Sequence, residues 1–186
     1  MKQLFITSFF VLLILKSQGQ VTKGNWLVGG NAIFSSAHYK NDATADANLL
    51  TIGINPKIGH FFIDKFAVGL MANYSFSHTK ISSSSQNFTT FTFGPYLRYY
   101  FLSPKSRVNI LGETGYQYGI EKGSGNNDYK TNGVSFAAGP VVYFNSTVGI
   151  EFTIGYSVLK YINYNNTNNY LQIAIGLQVH LEKLGH

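Results

Sequence analysis

Apolar and polar residues alternate along most of this chain with a period of two. The clearest case is Tyr170 to Leu181. Leu171, Ile173, Ile175, Leu177, Val179 and Leu181 share one parity, while Tyr170, Gln172, Ala174, Gly176, Gln178 and His180 share the other. Successive side chains of a strand point to opposite faces, so this stretch has an aliphatic face backed by a polar and small one. The aliphatic face runs unbroken for twelve residues. A tilted strand needs roughly nine to eleven residues to cross a bilayer core. The stretch reads as the closing strand of a membrane barrel.

Seven more alternating stretches precede it, separated by turn-rich gaps. They cover about 25–35, 49–62, 66–78, 88–101, 107–120, 133–144 and 148–159. In the first, Trp26, Val28, Ala32 and Phe34 are in phase, although Leu27 and Ile33 sit on the other parity. The short gaps, Ile63-Asp64-Lys65, Ser103-Pro104-Lys105-Ser106 and Asn145-Ser146-Thr147, read as turns. Residues 36–48, 79–87, 121–132 and 160–169 read as longer polar loops. Loop length and phase agree. Opposed residues of a hairpin face the same side, so strands of equal parity need an odd turn and strands of unequal parity an even one. The second and third stretches are both even and are joined by three residues, as are the sixth and seventh; the fourth is odd, the fifth even, and four residues join them.

Pro56, Pro95 and Pro140 recur on the apolar parity, each shortly before a short turn. Each is followed by aromatics: Phe61 and Phe62; Tyr99, Tyr100 and Phe101; Tyr143 and Phe144. Proline removes a ladder donor and is usual at edges or bulges. The repeat predicts a bulged rim whose aromatics form an interfacial girdle.

Composition decides which face is wet. Charged residues are only 12% of the chain and aromatics reach 16%, far from the charge-rich composition of disordered segments. The polar parity is dominated by Gly, Ser, Thr, Asn and Gln. A soluble barrel with an oily interior would carry a richly charged exterior, so the lipocalin-like alternative hinted at by Gly24-Asn25-Trp26 is disfavoured. Three charges do fall on the polar parity: Arg98, Glu113 and Glu151. Arg98 and Glu113 lie opposite, or one diagonal step apart, across a short turn, within interaction range. They predict a structural ion pair in a narrow lumen, with Glu151 as a third member; a proton or ion relay is the functional alternative. Tyr96, Tyr100 and Tyr143 share that inner parity and argue for a filled interior.

The N-terminus adds an address. Lys2, an apolar run from Leu4 to Leu15 and the small residues of Ser17-Gln18-Gly19 form a secretory signal at residues 1–19, leaving 20–186 as the barrel domain. The apolar run is too short for a transmembrane helix. There is no cysteine, so no disulfide framework and no thiolate metal site. The formal charge of +6 includes Lys2 and Lys16 of the signal, and the other lysines are scattered singly along the sequence. Nucleic acid is therefore not an expected partner, despite the basic balance.

The chain resembles the small eight-stranded outer-membrane barrels of the OmpA/OmpX type, often labelled the porin family. The resemblance spans about Trp26 to Leu181 and rests on the architecture and the closing strand. Gly176-Leu177-Gln178-Val179-His180-Leu181 looks like the terminal signal read by the barrel-insertion machinery, a glycine followed by alternating hydrophobics. Leu181 stands where such signals commonly carry Phe, Glu182 to His186 follow it, and Ala174 replaces a usual polar residue. The resemblance implies Gly176, Val179 and Leu181 as insertion-signal residues.

Catalytic and metal chemistry is sparse. His38, His60, His78, His180 and His186 are dispersed, with no metal-ligand spacing. His78 near Ser75 and Ser77 is the nearest approach to a lipid hydrolase, but Ser77 and His78 are adjacent and point to opposite faces of a strand. The 123–128 loop holds too few firm carboxylates for a dedicated calcium site. No cofactor and no metal are expected.

The reading is an all-β, eight-stranded, antiparallel up-and-down transmembrane β-barrel, monomeric, exported to a bacterial outer membrane. Its partners are membrane lipid, lipopolysaccharide, the insertion machinery and an extracellular partner at the four loops. A structural or surface-interaction role leads; a narrow small-solute channel and a lipid-modifying enzyme are the alternatives. The folded protein should sediment with membranes and migrate differently on gels before and after boiling. A soluble product whose mobility ignores heat would exclude the membrane reading.

Overall fold

The computed structural model describes residues 21–39, 47–81, 84–124, 128–162 and 166–182. The signal assigned to 1–19 lies outside them. Eight strands follow in order: β1 (Trp26–Tyr39), β2 (Ala47–Ile63), β3 (Phe66–Ile81), β4 (Ser84–Tyr100), β5 (Val108–Gly123), β6 (Asp128–Tyr143), β7 (Val148–Tyr161) and β8 (Asn166–Leu181). Each pairs antiparallel with its sequence neighbour, and β1 with β8 closes the barrel. The closing seam pairs Trp26–Ala32 with Ile175–Leu181, and each pairing satisfies backbone groups that hydrocarbon cannot.

The oily parity faces outward. Ile173, Ile175 and Leu177 are 81%, 59% and 51% exposed, whereas Arg98 and Glu151 are each 2% exposed. Trp26, Val28 and Phe34 also face out while Leu27 is buried, which settles the phase of β1. Trp26 sits beside Leu181 on the outer wall, a position opposite to the inward-facing tryptophan a soluble ligand-binding barrel would need. On β5 the outward residues from Val108 to Ile120 cover roughly 30 Å of height for a strand rising ~3.3 Å per residue at a ~40° tilt. That matches a bilayer's hydrocarbon core.

Registers follow the parity rule. Even residues pair with even across β2–β3 and β6–β7, and even with odd across β4–β5. The turns are built differently from their expected lengths. Between β2 and β3 the register shifts between Phe61 and Ile63, and Lys65 takes φ 69°, so a two-residue turn plus a bulge replaces a plain three-residue turn. Between β4 and β5 the Asn109 side chain stands in for the ladder. It accepts from Leu102 N–H at 2.9 Å and donates to the Ser103 carbonyl at 3.2 Å.

Three expectations change. The described parts of the polar segments read as long loops are largely strand. β1 runs to Tyr39, β3 to Ile81 and β5 to Gly123, while β4, β6 and β8 begin at Ser84, Asp128 and Asn166. Above the hydrocarbon nothing forces an oily face, so strands continue as polar hairpins and lose the alternation that reveals them. The prolines do not make a bulged rim. The β2–β3 register is the same at Ile54↔Tyr74 and Lys57↔Met71, with the pairing between them interrupted at Asn55–Pro56, and β4–β5 and β6–β7 behave alike around Pro95 and Pro140. A missing N–H opens a gap in the ladder without inserting a residue. The aromatics after each proline divide between the faces. Phe62, Tyr99, Phe101 and Phe144 point out, and Phe61, Tyr100 and Tyr143 are buried inside.

Those inward rings close the short-turn end of the barrel. Phe61, Tyr100 and Tyr143 pack with Val21, Leu27, Ala67, Leu111 and Val141. His180 lies among the three rings, with centroids 5.6, 6.2 and 5.5 Å away. Val21 is held under the barrel by its carbonyl, which accepts from Lys65 N–H at 2.8 Å. Replacing Ile175, near the middle of the lipid-facing stretch of β8, with lysine should cost about 2–4 kcal/mol. Reversible urea unfolding in the presence of lipid vesicles measures it; an unchanged midpoint would mean that this face does not meet hydrocarbon.

Candidate functional site in the lumen

Directly above the plug lies a charged cluster built from four strands. Arg98 on β4 and Glu113 on β5 are direct register partners. Arg98 Nε donates to Glu113 Oε2 at 2.8 Å, and its Nη2 lies 2.6 Å from the same oxygen. Arg98 Nη1 donates to Glu151 Oε2 on β7 at 2.8 Å and to Gln178 Oε1 on β8 at 3.0 Å. The structure thus brings together Arg98, Glu113 and Glu151.

Lys57 on β2 is a fourth member, and it donates to Glu113 Oε1. Its parity is the inner one in β2, and that was the available signal. What parity could not supply was reach across the lumen, because β2 and β5 are not neighbours. Two cations and two carboxylates make the cluster formally neutral. All four side chains are at most 8% exposed. Neutral pairing through hydrogen-bonded partners is the condition under which charges persist out of water.

Neutral groups extend the cluster down into the plug. Tyr100 donates its hydroxyl proton to Gln178 Oε1 at 2.7 Å, and Gln178 Nε2 donates to the Tyr143 hydroxyl at 3.3 Å. Above it, the Tyr96 ring lies 5.8 Å from the Arg98 guanidinium carbon. That ring occupies space freed by glycines. A Cβ on Gly59 would collide with the Tyr96 hydroxyl, and one on Gly69 would meet its ring edge and the Ile58 carbonyl.

The serine and histidine of the hydrolase alternative have other partners. Ser77 Oγ pairs with Thr51 Oγ1 at 2.9 Å, and His78 Nδ1 with Asn87 Oδ1 at 2.6 Å. Among the described residues no group of His, Asp and Glu is arranged to hold a metal ion. The central part of the 123–128 loop lies outside the described residues.

Residues 5–180 match the family described as Outer membrane protein beta-barrel domain. The chain belongs to that family. Its fold is similar to the crystal structure of the outer membrane protein OprG from Pseudomonas aeruginosa, at 13% identity and a TM-score of 0.58, covering 88% of this chain and 99% of that one. It is also similar to Neisserial surface protein A, at 16% identity and 0.51, covering 84% and 97%. At such identities the likeness is one of fold. A comparison with curated proteins finds no match.

In this outer-membrane barrel, the residues tied to the insertion signal also have structural places. Val179 and Leu181 pair with Val28 and Trp26 along the closing seam. Gly176 faces inward opposite Glu151, and a Cβ there would stand 2.8 Å from Glu151 Cγ and Oε1 and 2.8 Å from the Gly30 carbonyl. A glycine at this position makes room for the charged cluster. The seam itself is short. Among the described residues β1 and β8 pair over Trp26–Ala32 and Ile175–Leu181, and Leu171 and Ile173 lie beyond that register.

Arg98→Ala should cost about 3–5 kcal/mol, because two carboxylates stay buried without their main partner. Combining Lys57→Met, Arg98→Met, Glu113→Gln and Glu151→Gln should recover most of that loss, since no charge is left stranded. Equilibrium unfolding of the single and quadruple variants compares them. Equal losses would show that the cluster acts through shape and not through charge.

Proposed function

We propose that the protein is a monomeric, side-chain-filled barrel of the bacterial outer membrane with a structural or surface-interaction role and no catalytic activity. The observation that carries this reading is the two-layer closure of the lumen, an apolar plug beneath a neutral buried ion cluster. An eight-stranded barrel is just wide enough for side chains to fill it. A solute passing through would have to separate buried ion pairs, at several kcal/mol each. A narrow channel is the weaker reading for that reason.

In this proposal the short turns and both termini face the periplasm and the polar hairpins face outward, the arrangement usual for such barrels. A cleaved signal over residues 1–19 exports the chain, and Gly176, Val179 and Leu181 belong to the segment read by the insertion machinery. The tips of the hairpins at 36–48, 79–87, 121–132 and 160–169 are then the surface offered to an extracellular partner.

In planar lipid bilayers the wild-type barrel should give no unitary current steps. Tyr100→Ala combined with Tyr143→Ala should produce small steps by opening the plug. Step conductance in the wild type would replace the sealed reading with a channel.

A further inference from the structure

The side-chain filling of the lumen stops part-way up. On β2 the inward Lys57 is buried, and the next inward positions, Asn55 and Gly53, are half-buried. Asn73 on β3, Ser135 on β6 and Ser157 on β7 are half-buried as well, and Gln172 on β8 is exposed. All of them lie on the inner parity. Ser135 and Ser157 are register partners within an unbroken run of β6–β7 pairing, and β6 and β7 pair with β5 and β8 on their other sides. Solvent reaches these two serines only through the lumen. Above the ion cluster the barrel is therefore a cup, and it faces the polar hairpins.

The stagger of the ring brings these side chains to one level. Followed from strand to strand, the pairing that starts at Leu27 passes Gly59, Tyr96 and Ser135 and returns to β8 at Tyr170, far above His180, the other partner of Leu27. The register climbs as it passes round a tilted barrel. Residues level with Asn55 therefore lie progressively nearer the short turns on later strands than its register partners do. That places Asn55, Asn73, Ser135, Ser157 and Gln172 in one band round the wall, a tier above Lys57 and Arg98.

The band is neutral, and its amides and hydroxyls can both donate and accept. None of these side chains hydrogen-bonds another group among the described residues, in contrast to the paired ions below. At the floor Asn31, the register partner of Asn55, has its Oδ1 buried without a hydrogen-bond partner, and higher on the wall the fully buried Thr131 has its Oγ1 in the same condition. Ala137, Gly155 and Ala174 are the small inward residues between, and they leave the cup its width. Among the described residues no lysine or arginine stands on the inner parity above the cluster, and the acid there, Glu121, accepts from Thr90 and Tyr161. Tyrosines stand toward the mouth. Tyr129 and Tyr161 pack edge-on at 6.2 Å, and Tyr170 is 44% exposed.

Neutral amides and hydroxyls in a narrow cup, with tyrosines toward its mouth, match one ligand chemistry. A sugar hydroxyl donates and accepts at the same oxygen, and the C–H faces of a sugar ring lie against aromatic rings. An anion would find no cation in the band, and a cation would find only an acid that is already held. We infer that the upper lumen binds the terminal ring of a neutral saccharide, with Asn55, Asn73 and Gln172 as its main hydrogen-bonding groups. The inference rests on the outward orientation proposed above and names the class of partner that the surface role would serve. The cup opens along the barrel axis, away from the bilayer, so the sugar arrives from solution. The charged floor stays closed beneath it, so the sugar is held and not passed through.

Side-chain amide NMR of the folded full chain in lipid nanodiscs tests the assignment, with the methyl glycosides of glucose, galactose and N-acetylglucosamine as probes. At least one of them should shift the Asn55, Asn73 and Gln172 amide signals saturably. Asn73→Leu combined with Gln172→Leu should weaken that binding about tenfold or more, and Ser157→Trp, which fills the cup, should abolish it. The methyl glycosides of glucosamine and glucuronate should bind more weakly than that of glucose. Heat-shifted migration shows that each variant is folded. No saturable shift of the wild type with any neutral probe, an unchanged affinity in the folded leucine variant, or equal binding of the glucuronate probe would overturn the assignment. Orientation is tested apart from the site. The chain has no cysteine, so Ser75→Cys, on the inner parity of β3, supplies a single thiol that a membrane-impermeant maleimide should label on intact cells. Sugar binding in nanodiscs without labelling from outside would reject the orientation and leave the site standing.

Discussion

A strand that faces hydrocarbon can satisfy its N–H and C=O groups only through neighbouring strands. Closure of the eight-stranded ring answers that requirement, and the remaining features follow from it. The outer parity is oily because it touches lipid. The inner parity fills a narrow core mostly from small and polar groups, with Leu27, Leu111 and Val141 kept to the plug at the short-turn end. Polarity is inverted relative to a soluble barrel. The oily wall is the exposed one, and the charged groups are buried.

The inverted interior has its own stability problem. Arg98, Glu113, Glu151 and Lys57 are out of water, so they hold only as a balanced set. Gln178, Tyr100 and Tyr143 take up donors and acceptors left by the ions and link the cluster to the apolar plug. The glycines opposite them are part of the same solution. Gly176 leaves room for Glu151, and Gly59 and Gly69 leave room for Tyr96. A filled lumen and a neutral buried cluster are what support the sealed, structural role proposed for this barrel.

Much of this was legible before any coordinates. Strand number, order and outward phase could be read from parity because the bilayer applies one strong selection at every second position. The Arg98–Glu113 pairing was legible because the turn between them is short and register propagates from it. Strand ends at Tyr39, Ile81 and Gly123 were not, since beyond the hydrocarbon that selection stops while the backbone ladder goes on. The division of the proline-following aromatics between girdle and plug was implied by alternation, yet their shared chemistry concealed it.

Sequence alone determined the two faces, the local hairpins and the presence of ions on the inner one, because each depends only on parity and on neighbours along the chain. Tertiary closure decided which distant residues meet. Lys57 reaches Glu113 across the lumen, and Glu151 and Gln178 converge on Arg98. Those contacts join strands far apart in sequence. They depend on the stagger and curvature of the whole ring, which no single hairpin contains.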